Sequence, residues 1–330
     1  MSSTPRKARD PRNGLRMSAT LATVFTILGH TVFGFEQSWA QVVVALLTGY
    51  SCALFFEWVD ARANGIVPGF KGGGWRKLLN FMLSAHMTSI TMSFLLYVNK
   101  RLWIMALAVA LAIGSKYIFR VRQNGRLQHF MNPSNFGIAV VLLAYQWTGV
   151  LPWAFTTGIS GVFDWLVPLI IVGLGMRLNL LFTGRIPTVL AWLGTFVVLG
   201  ACRAWFIYGS SIVAELVPLT GIAFVLFTFY MITDPQTSPS RLGSQILFGS
   251  GIALAYSVLL LLHVQYTMFY SVTVVAATRG LWLYVQSLRA PASLPETAPA
   301  AVPVVATGFP DSAAAMARTA GGGGPSADPA

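Results

Sequence analysis

Long apolar runs are the feature that most narrows what this chain can fold into. A helix needs about 20 apolar residues to cross the hydrocarbon core of a bilayer. Ten segments of the 330-residue chain read that way: 17–35, 38–59, 77–98, 102–119, 134–151, 162–180, 186–208, 212–233, 242–262 and 265–286. Charged residues make up 10% of the chain, against about 25% in a soluble domain, so it cannot clothe a water-facing surface. An ordinary cytosolic enzyme, a secreted disulfide scaffold and a disordered polymer are thereby excluded. The expected fold is an all-α integral membrane protein of about ten transmembrane helices. The first run does not read as a signal peptide, because it lacks a small-residue cleavage site and another long run follows at once. The organisation expected is a basic N-terminus over 1–16, a membrane domain over 17–289 and an Ala/Pro/Gly-rich tail over 290–330. That tail cannot bury a core and is predicted to be disordered.

The few charges are lopsided, 22 Lys and Arg against 10 Asp and Glu, a formal +12. Mapped onto the runs, the excess becomes orientation. Arg6, Lys7, Arg9, Arg12 and Arg16 precede the first run, and Arg62, Lys71, Arg76 and Lys77 lie around the connection from the second to the third. Lys116, Arg120, Arg122 and Arg126 follow the fourth, and Arg177, Arg185, Arg241 and Arg289 fall on the same side. The opposite connections hold Lys100 and Arg101. Seventeen cations against two predict a multi-pass protein of the cytoplasmic membrane with both termini inside. Trp39, Trp58, Trp75, Trp103, Trp153, Trp165 and Trp205 lie near run ends, where amphipathic rings collect. The partner implied is the lipid bilayer, with no nucleic acid.

The longest polar inner segment joins the fourth and fifth runs. It carries Lys116 and Arg120, then Asn132-Pro133-Ser134-Asn135 at a helix start. Free N–H groups beside cations suit a phosphate or carboxylate; the same residues also read as a capped helix flanked by orientation charges. On the same face Thr233-Asp234-Pro235 closes the eighth run, either as part of that site or as a plain turn. Within the runs ionisable residues are few. Arg203 and Glu215 come to similar depth across a hairpin, either as an ion pair or as part of an ion path, and Arg279 is expected to snorkel. Glu57, Asp60 and Asp164 sit at run ends.

The third run carries His86, Thr88, Ser89 and Thr91, and the eighth is interrupted by Pro218-Leu219-Thr220-Gly221. Ten runs divided five and five give halves of opposite orientation, about 17–151 and 162–286. Interrupted segments in corresponding places then mark a midplane pathway, here His86, Thr88, Thr91 and Thr220. Cys52 and Cys202 have no ligand-spaced neighbour, so no metal site is expected. Phosphate-loop, dinucleotide, zinc-protease and nucleophile-elbow motifs are missing, and the histidines are too scattered for haem. No self-contained catalytic centre is expected.

Ser115-Lys116-Tyr117 with Arg120, then Asn132-Pro133 and Asn135-Phe136-Gly137, then Thr233-Asp234-Pro235 resemble the NqrB/RnfD family over roughly residues 20–286. That family comprises ten-span, flavin-carrying subunits of sodium-pumping and Rnf-type redox complexes. Residues 179–187, 191–194 and 226–235 are more similar to its branch found with enediyne polyketide biosynthesis genes. The resemblance implies the five-plus-five inverted arrangement, and an accessory role that moves or positions a small molecule, ion or electron among membrane or biosynthetic partners. It also implies flavin. Family members with covalent FMN attach it to the Thr of a Ser-Gly-Ala-Thr motif; here Ser160-Gly161-Val162-Phe163 puts Phe163, which has no hydroxyl, at the acceptor position. Covalent FMN is therefore not expected, while noncovalent FMN or riboflavin at the inner motifs stays open. Three rival readings also stay open: a flavin-dependent electron-transfer subunit, an exporter or self-resistance protein, and a structural anchor. The ligand-site residues singled out are Lys116, Arg120, Asn132, Asn135, Thr233 and Asp234.

Overall fold

An apolar helix satisfies every backbone N–H and C=O within itself, which is what lipid demands of a spanning segment, and the structure is helical along nearly all of its apolar sequence. The structure is a computed structural model that describes residues 11–123, 126–151 and 154–289. The expectations for residues 290–330 and for most of the basic N-terminus lie outside the described residues. The helices are α1 (Pro11–Leu28), α2 (Trp39–Ala63), α3 (Gly74–Leu95), α4 (Leu102–Ile118), α5 (Pro133–Ala144) and a single turn, α6 (Ala154–Thr157). They continue with α7 (Phe163–Leu178), α8 (Ile186–Cys202), α9 (Ile212–Leu216), α10 (Ile222–Leu226), α11 (Leu242–Leu261) and α12 (Thr267–Arg289). Two small antiparallel ladders join them: β1 (Leu96–Tyr97) with β4 (Gly149–Val150), and β2 (Arg120–Gln123) with β3 (Arg126–His129).

Six helices among the described residues are long and apolar enough to cross a membrane: 39–63, 74–95, 163–183, 186–208, 242–261 and 267–289. A seventh crossing is formed if Ile212–Thr220 and Ile222–Met231, bent by 68° at their junction, count as one. Of the ten segments expected, six, or seven with the bent pair, reach spanning length among the described residues. α4, at 17 residues, and α5, at 12, are apolar but short. α1 falls outside the group because Arg12, Arg16 and three threonines dilute it.

Local chemistry explains the ends. Asn132 caps α5, its Oδ1 accepting from Asn135 N at 3.1 Å, with Pro133 in the first turn, the pairing that favours a helix start. The last turns after α1, α7 and α8 widen and close on Gly34, Gly184 and Gly209, with φ of 74°, 64° and 56°, a left-handed stop that suits glycine. Ser211 caps α9 through Val213 N, and Pro218 and Gly221 separate α9 from α10. In contrast, α3 runs unbroken through its polar stretch. It holds no Pro or Gly after Gly74, and Thr88 Oγ1 donates back to Ser84 O within the helix.

α2 packs on α3 and α4, α4 on α5, and in the second half of the chain α8 packs on α11 and α11 on α12. Small residues allow the close approaches, as in membrane helices generally. A Cβ on Gly137 would stand 2.4 Å from Ala108 O, and one on Gly249 2.5 Å from Thr188 O. Trp192 anchors the second half, with Nε1 donating to Thr228 Oγ1 at 2.9 Å among Phe196, Phe224, Phe227 and Tyr256. The halves meet where α5 lies on α12 and α1 on the widened end of α7.

Candidate functional site

A cavity of about 180 Å³ opens between the halves. α1 and α3 line one side, the widened ends of α7 and α10 another, and the start of α5 with the 233–236 turn closes one end. Lys116, His129, Asn132, Thr233 and Asp234 give the lining its polar groups, and Ala22, Phe25, Phe94, Leu95 and Leu226 are among its apolar ones. Met87, Thr88 and Thr91 of α3 also line it.

Lys116 and Asp234 bring opposite charges to this cavity without touching. Among the described residues the ion pairs are Arg120–Asp60 and Arg203–Glu215. Lys116 Nζ donates instead to Ser84 Oγ at 3.0 Å, Thr88 Oγ1 at 3.1 Å and Ser84 O at 3.3 Å. Asp234 accepts from Gln236 N at 3.2 Å, Thr237 Oγ1 at 3.3 Å and, weakly, Asn132 Nδ2 at 3.5 Å. Burial pushes the Asp234 carboxyl up, against the hydrogen bonds from Gln236 and Thr237 and the charges of Lys116 and Arg185. Burial, then the charges of Lys116 and Arg120, hold the His129 imidazole down at about 3, so His129 is neutral at pH 7.

The 234–238 turn is clamped from both sides. Arg185 donates to Ser238 Oγ at 2.8 Å and to the carbonyls of Pro235 and Ser238, and Arg279 Nη1 donates to Thr237 O at 3.1 Å. Thr233 Oγ1 donates to Phe229 O and Asn132 Nδ2 to Met231 O, which tie the turn to the helix before it. The turn that carries Asp234 is therefore fixed before anything binds, as a binding site requires.

Of the residues singled out from sequence, Lys116, Asn132, Thr233, Asp234, Thr88 and Thr91 line the cavity. Arg120 does not. Its Nη1 lies 3.0 Å from both Asp60 oxygens, its Nε donates to Lys116 O, and its guanidinium covers the Tyr117 ring. Asn135 joins the halves instead, donating to Phe269 O at 3.0 Å and Thr273 Oγ1 at 2.8 Å. His86 lies among α1, α2 and α3, bridging Thr23 Oγ1 at 2.9 Å and Tyr50 OH at 2.6 Å. Thr23 donates its hydrogen to Ala19 O, so it accepts from His86 Nε2–H, and Nδ1 accepts from Tyr50. Thr220 is exposed on the break before α10, bonded to Val217 O. Arg203 and Glu215 meet at 2.8 Å, away from the cavity, and Arg203 also holds Ser257 Oγ at 2.5 Å.

Ser84, His129 and Gln236 were not singled out from sequence. Ser84 has a readable signal, since it precedes Thr88 by one helical turn and so shares its face. His129 and Gln236 have none, because only tertiary packing brings them to the cavity. Phe163 is 58% exposed at the start of α7, and its ring has no oxygen for a phosphoester. No group of three or more His, Cys, Asp or Glu suited to a metal occurs among the described residues. No protein-family model and no curated protein sequence matches this chain.

Proposed function

We propose that this chain is a multi-pass protein of the cytoplasmic membrane that binds an amphiphilic small molecule between two five-segment halves of opposite orientation. In this reading the short helices α4 and α5, the bent pair and α1 complete ten membrane segments, and the termini lie in the cytoplasm. The repeated packing order supports the halves: α2 on α4 with α4 on α5, then α8 on α11 with α11 on α12. The role proposed is the positioning or movement of that molecule for a biosynthetic system, in the manner of the NqrB/RnfD-like, enediyne-associated proteins that the motifs resemble.

One observation carries the ligand class: the cavity lining combines Lys116, Asn132 and Asp234 with Phe25, Phe94 and Leu95. An apolar chain or ring would lie against the second group of residues and a polar or anionic end against the first. Thr91 also lines the cavity, and its buried hydroxyl has no protein partner. A volume of about 180 Å³ is smaller than the roughly 300–1,000 Å³ of pockets for drug-sized ligands, so it suits a chain end or a compact ring. A whole FMN does not fit the cavity as it stands, and Phe163 gives no covalent anchor. No flavin step is therefore derived.

Titration of the detergent-purified protein with a dansyl-labelled medium-chain carboxylate, and separately with riboflavin, tests the reading. Saturable, blue-shifted dansyl emission that weakens about tenfold in Lys116→Met, a loss of about 1.4 kcal/mol, supports it. Equal binding by Lys116→Met rejects it, and riboflavin binding in preference to the carboxylate moves the assignment to the flavin-dependent electron-transfer reading. Deletion in a producing host separates the remaining rival: intact synthesis with raised self-toxicity indicates an exporter.

A further inference from the structure

We infer that the Lys116 ammonium is a tethered monovalent cation, seated in an oxygen cage on α3 that free ammonium or potassium fills when the side chain is removed. The cage consists of Ser84 Oγ at 3.0 Å, Thr88 Oγ1 at 3.1 Å and Ser84 O at 3.3 Å from Nζ. Three acceptors match the three donors of an ammonium group. Thr88 Oγ1 gives its own hydrogen to Ser84 O at 3.0 Å, so it can offer Lys116 only lone pairs.

The character of the cage is what separates it from an ion pair. Its atoms are one carbonyl and two hydroxyl oxygens, all neutral, and Lys116 forms no ion pair among the described residues. Neutral carbonyl and hydroxyl dipoles in place of a hydration shell are how proteins hold monovalent cations inside membranes. The distances are those of N–H···O bonds, which suits ammonium and potassium better than sodium with its shorter bonds to oxygen. Asp234 lines the same cavity and does not pair with Lys116. The cage would otherwise need a cation from solution; with Lys116 in place the site is already filled, so the intact protein has no requirement for one. This inference concerns the cage alone and does not depend on what occupies the cavity.

The experiment compares melting of the full-length protein in detergent in choline, potassium and ammonium chloride at equal ionic strength. Wild type is expected to melt at one temperature in all three. Lys116→Ala is expected to melt several degrees lower in choline, and ammonium is expected to restore at least half of the loss, rising with the logarithm of its concentration as binding to the folded state requires. Thr88→Val added to Lys116→Ala is expected to abolish that restoration. Loss in Lys116→Ala that no cation reverses overturns the inference, as does equal stability in all three salts. Failure of both Lys116→Ala and Lys116→Met to fold in ammonium overturns it as well, because the cage would then need the tether itself.

Discussion

Lys116 and Asp234 confront each other across one cavity and form no ion pair. Each charge is instead held by local dipoles, the ammonium by Ser84 and Thr88 and the carboxylate by Gln236 N, Thr237 and Asn132. Charges placed this way are expensive to bury, yet they are positioned before a ligand arrives and need little rearrangement to receive one. The two residues come from different halves, 118 positions apart in sequence, so their separation depends on how the halves sit together. A ligand whose polar end reaches both would hold that arrangement.

Thr91 should separate stability from binding. Its buried Oγ1 has no protein partner, and an unsatisfied buried hydroxyl is a cost of about 1–3 kcal/mol. Thr91→Val keeps the shape and removes that cost. The empty protein is expected to melt at the same temperature or higher, while the labelled carboxylate binds more weakly. A variant that is both destabilised and unchanged in binding would show that the hydroxyl serves packing.

His129 gives the fold an acid limit. Its folded-state value of about 3 lies below the ordinary 6.5, so between those values the unfolded chain binds the proton and the folded one excludes it. Stability is then fully present above pH 6.5 and is lost as pH falls toward 3. By pH 5 the loss amounts to about 2 kcal/mol. Asp234 has the opposite sign: its carboxyl is raised, so taking up a proton as pH falls favours the folded state. His129→Gln should therefore reduce the acid loss and Asp234→Asn should steepen it, measured as melting temperature between pH 7.5 and 5. Parallel curves for all three proteins would remove both residues from the account.

The contrast between what sequence disclosed and what it hid follows from range. The apolar runs, the Asn132 cap and the Pro218–Gly221 break depend on neighbours within a few positions, and these are legible. The shortness of α4 and α5 is not, because β1 before α4 pairs with β4 after α5, a contact between distant parts of the sequence. Arg120 shows the same limit. Beside Lys116 in sequence it reads as part of an anion site, but its partner is Asp60, 60 positions away. His86 likewise reads as a pathway residue until Thr23 and Tyr50 are seen to occupy both its nitrogens.

Arg203 and Glu215 should behave as a unit. They lie 2.8 Å apart with side chains 3% and 13% exposed, and removing one partner of a buried pair strands the other charge at a cost of about 3–5 kcal/mol. Glu215→Gln is expected to lower the melting temperature sharply. The double replacement Arg203→Met, Glu215→Leu should recover most of that loss, because neither charge is then buried alone. A double variant as unstable as the two single changes added together would mean that each residue is held by separate contacts, such as Ser257 for Arg203.

The glycines divide into two classes that one substitution series can distinguish. At Gly137 and Gly249 an added Cβ would meet a backbone oxygen of the facing helix at 2.4 and 2.5 Å, and backbone cannot step aside as a flexible side chain can. Gly137→Ala would force α5 from α4, and Gly249→Ala would force α11 from α8, each costing about 1–3 kcal/mol or more as overpacking. Gly173 and Gly243 lie in helices with open space where the methyl would go. Alanine there is expected to be neutral, or to stabilise by up to about 1 kcal/mol through helix propensity. The readout is the melting temperature of the four single variants in one detergent. Similar behaviour in all four would mean that α4–α5 and α8–α11 can separate freely. A drop confined to Gly137→Ala and Gly249→Ala would locate two close helix contacts, one in each half of the chain, on which the packing depends.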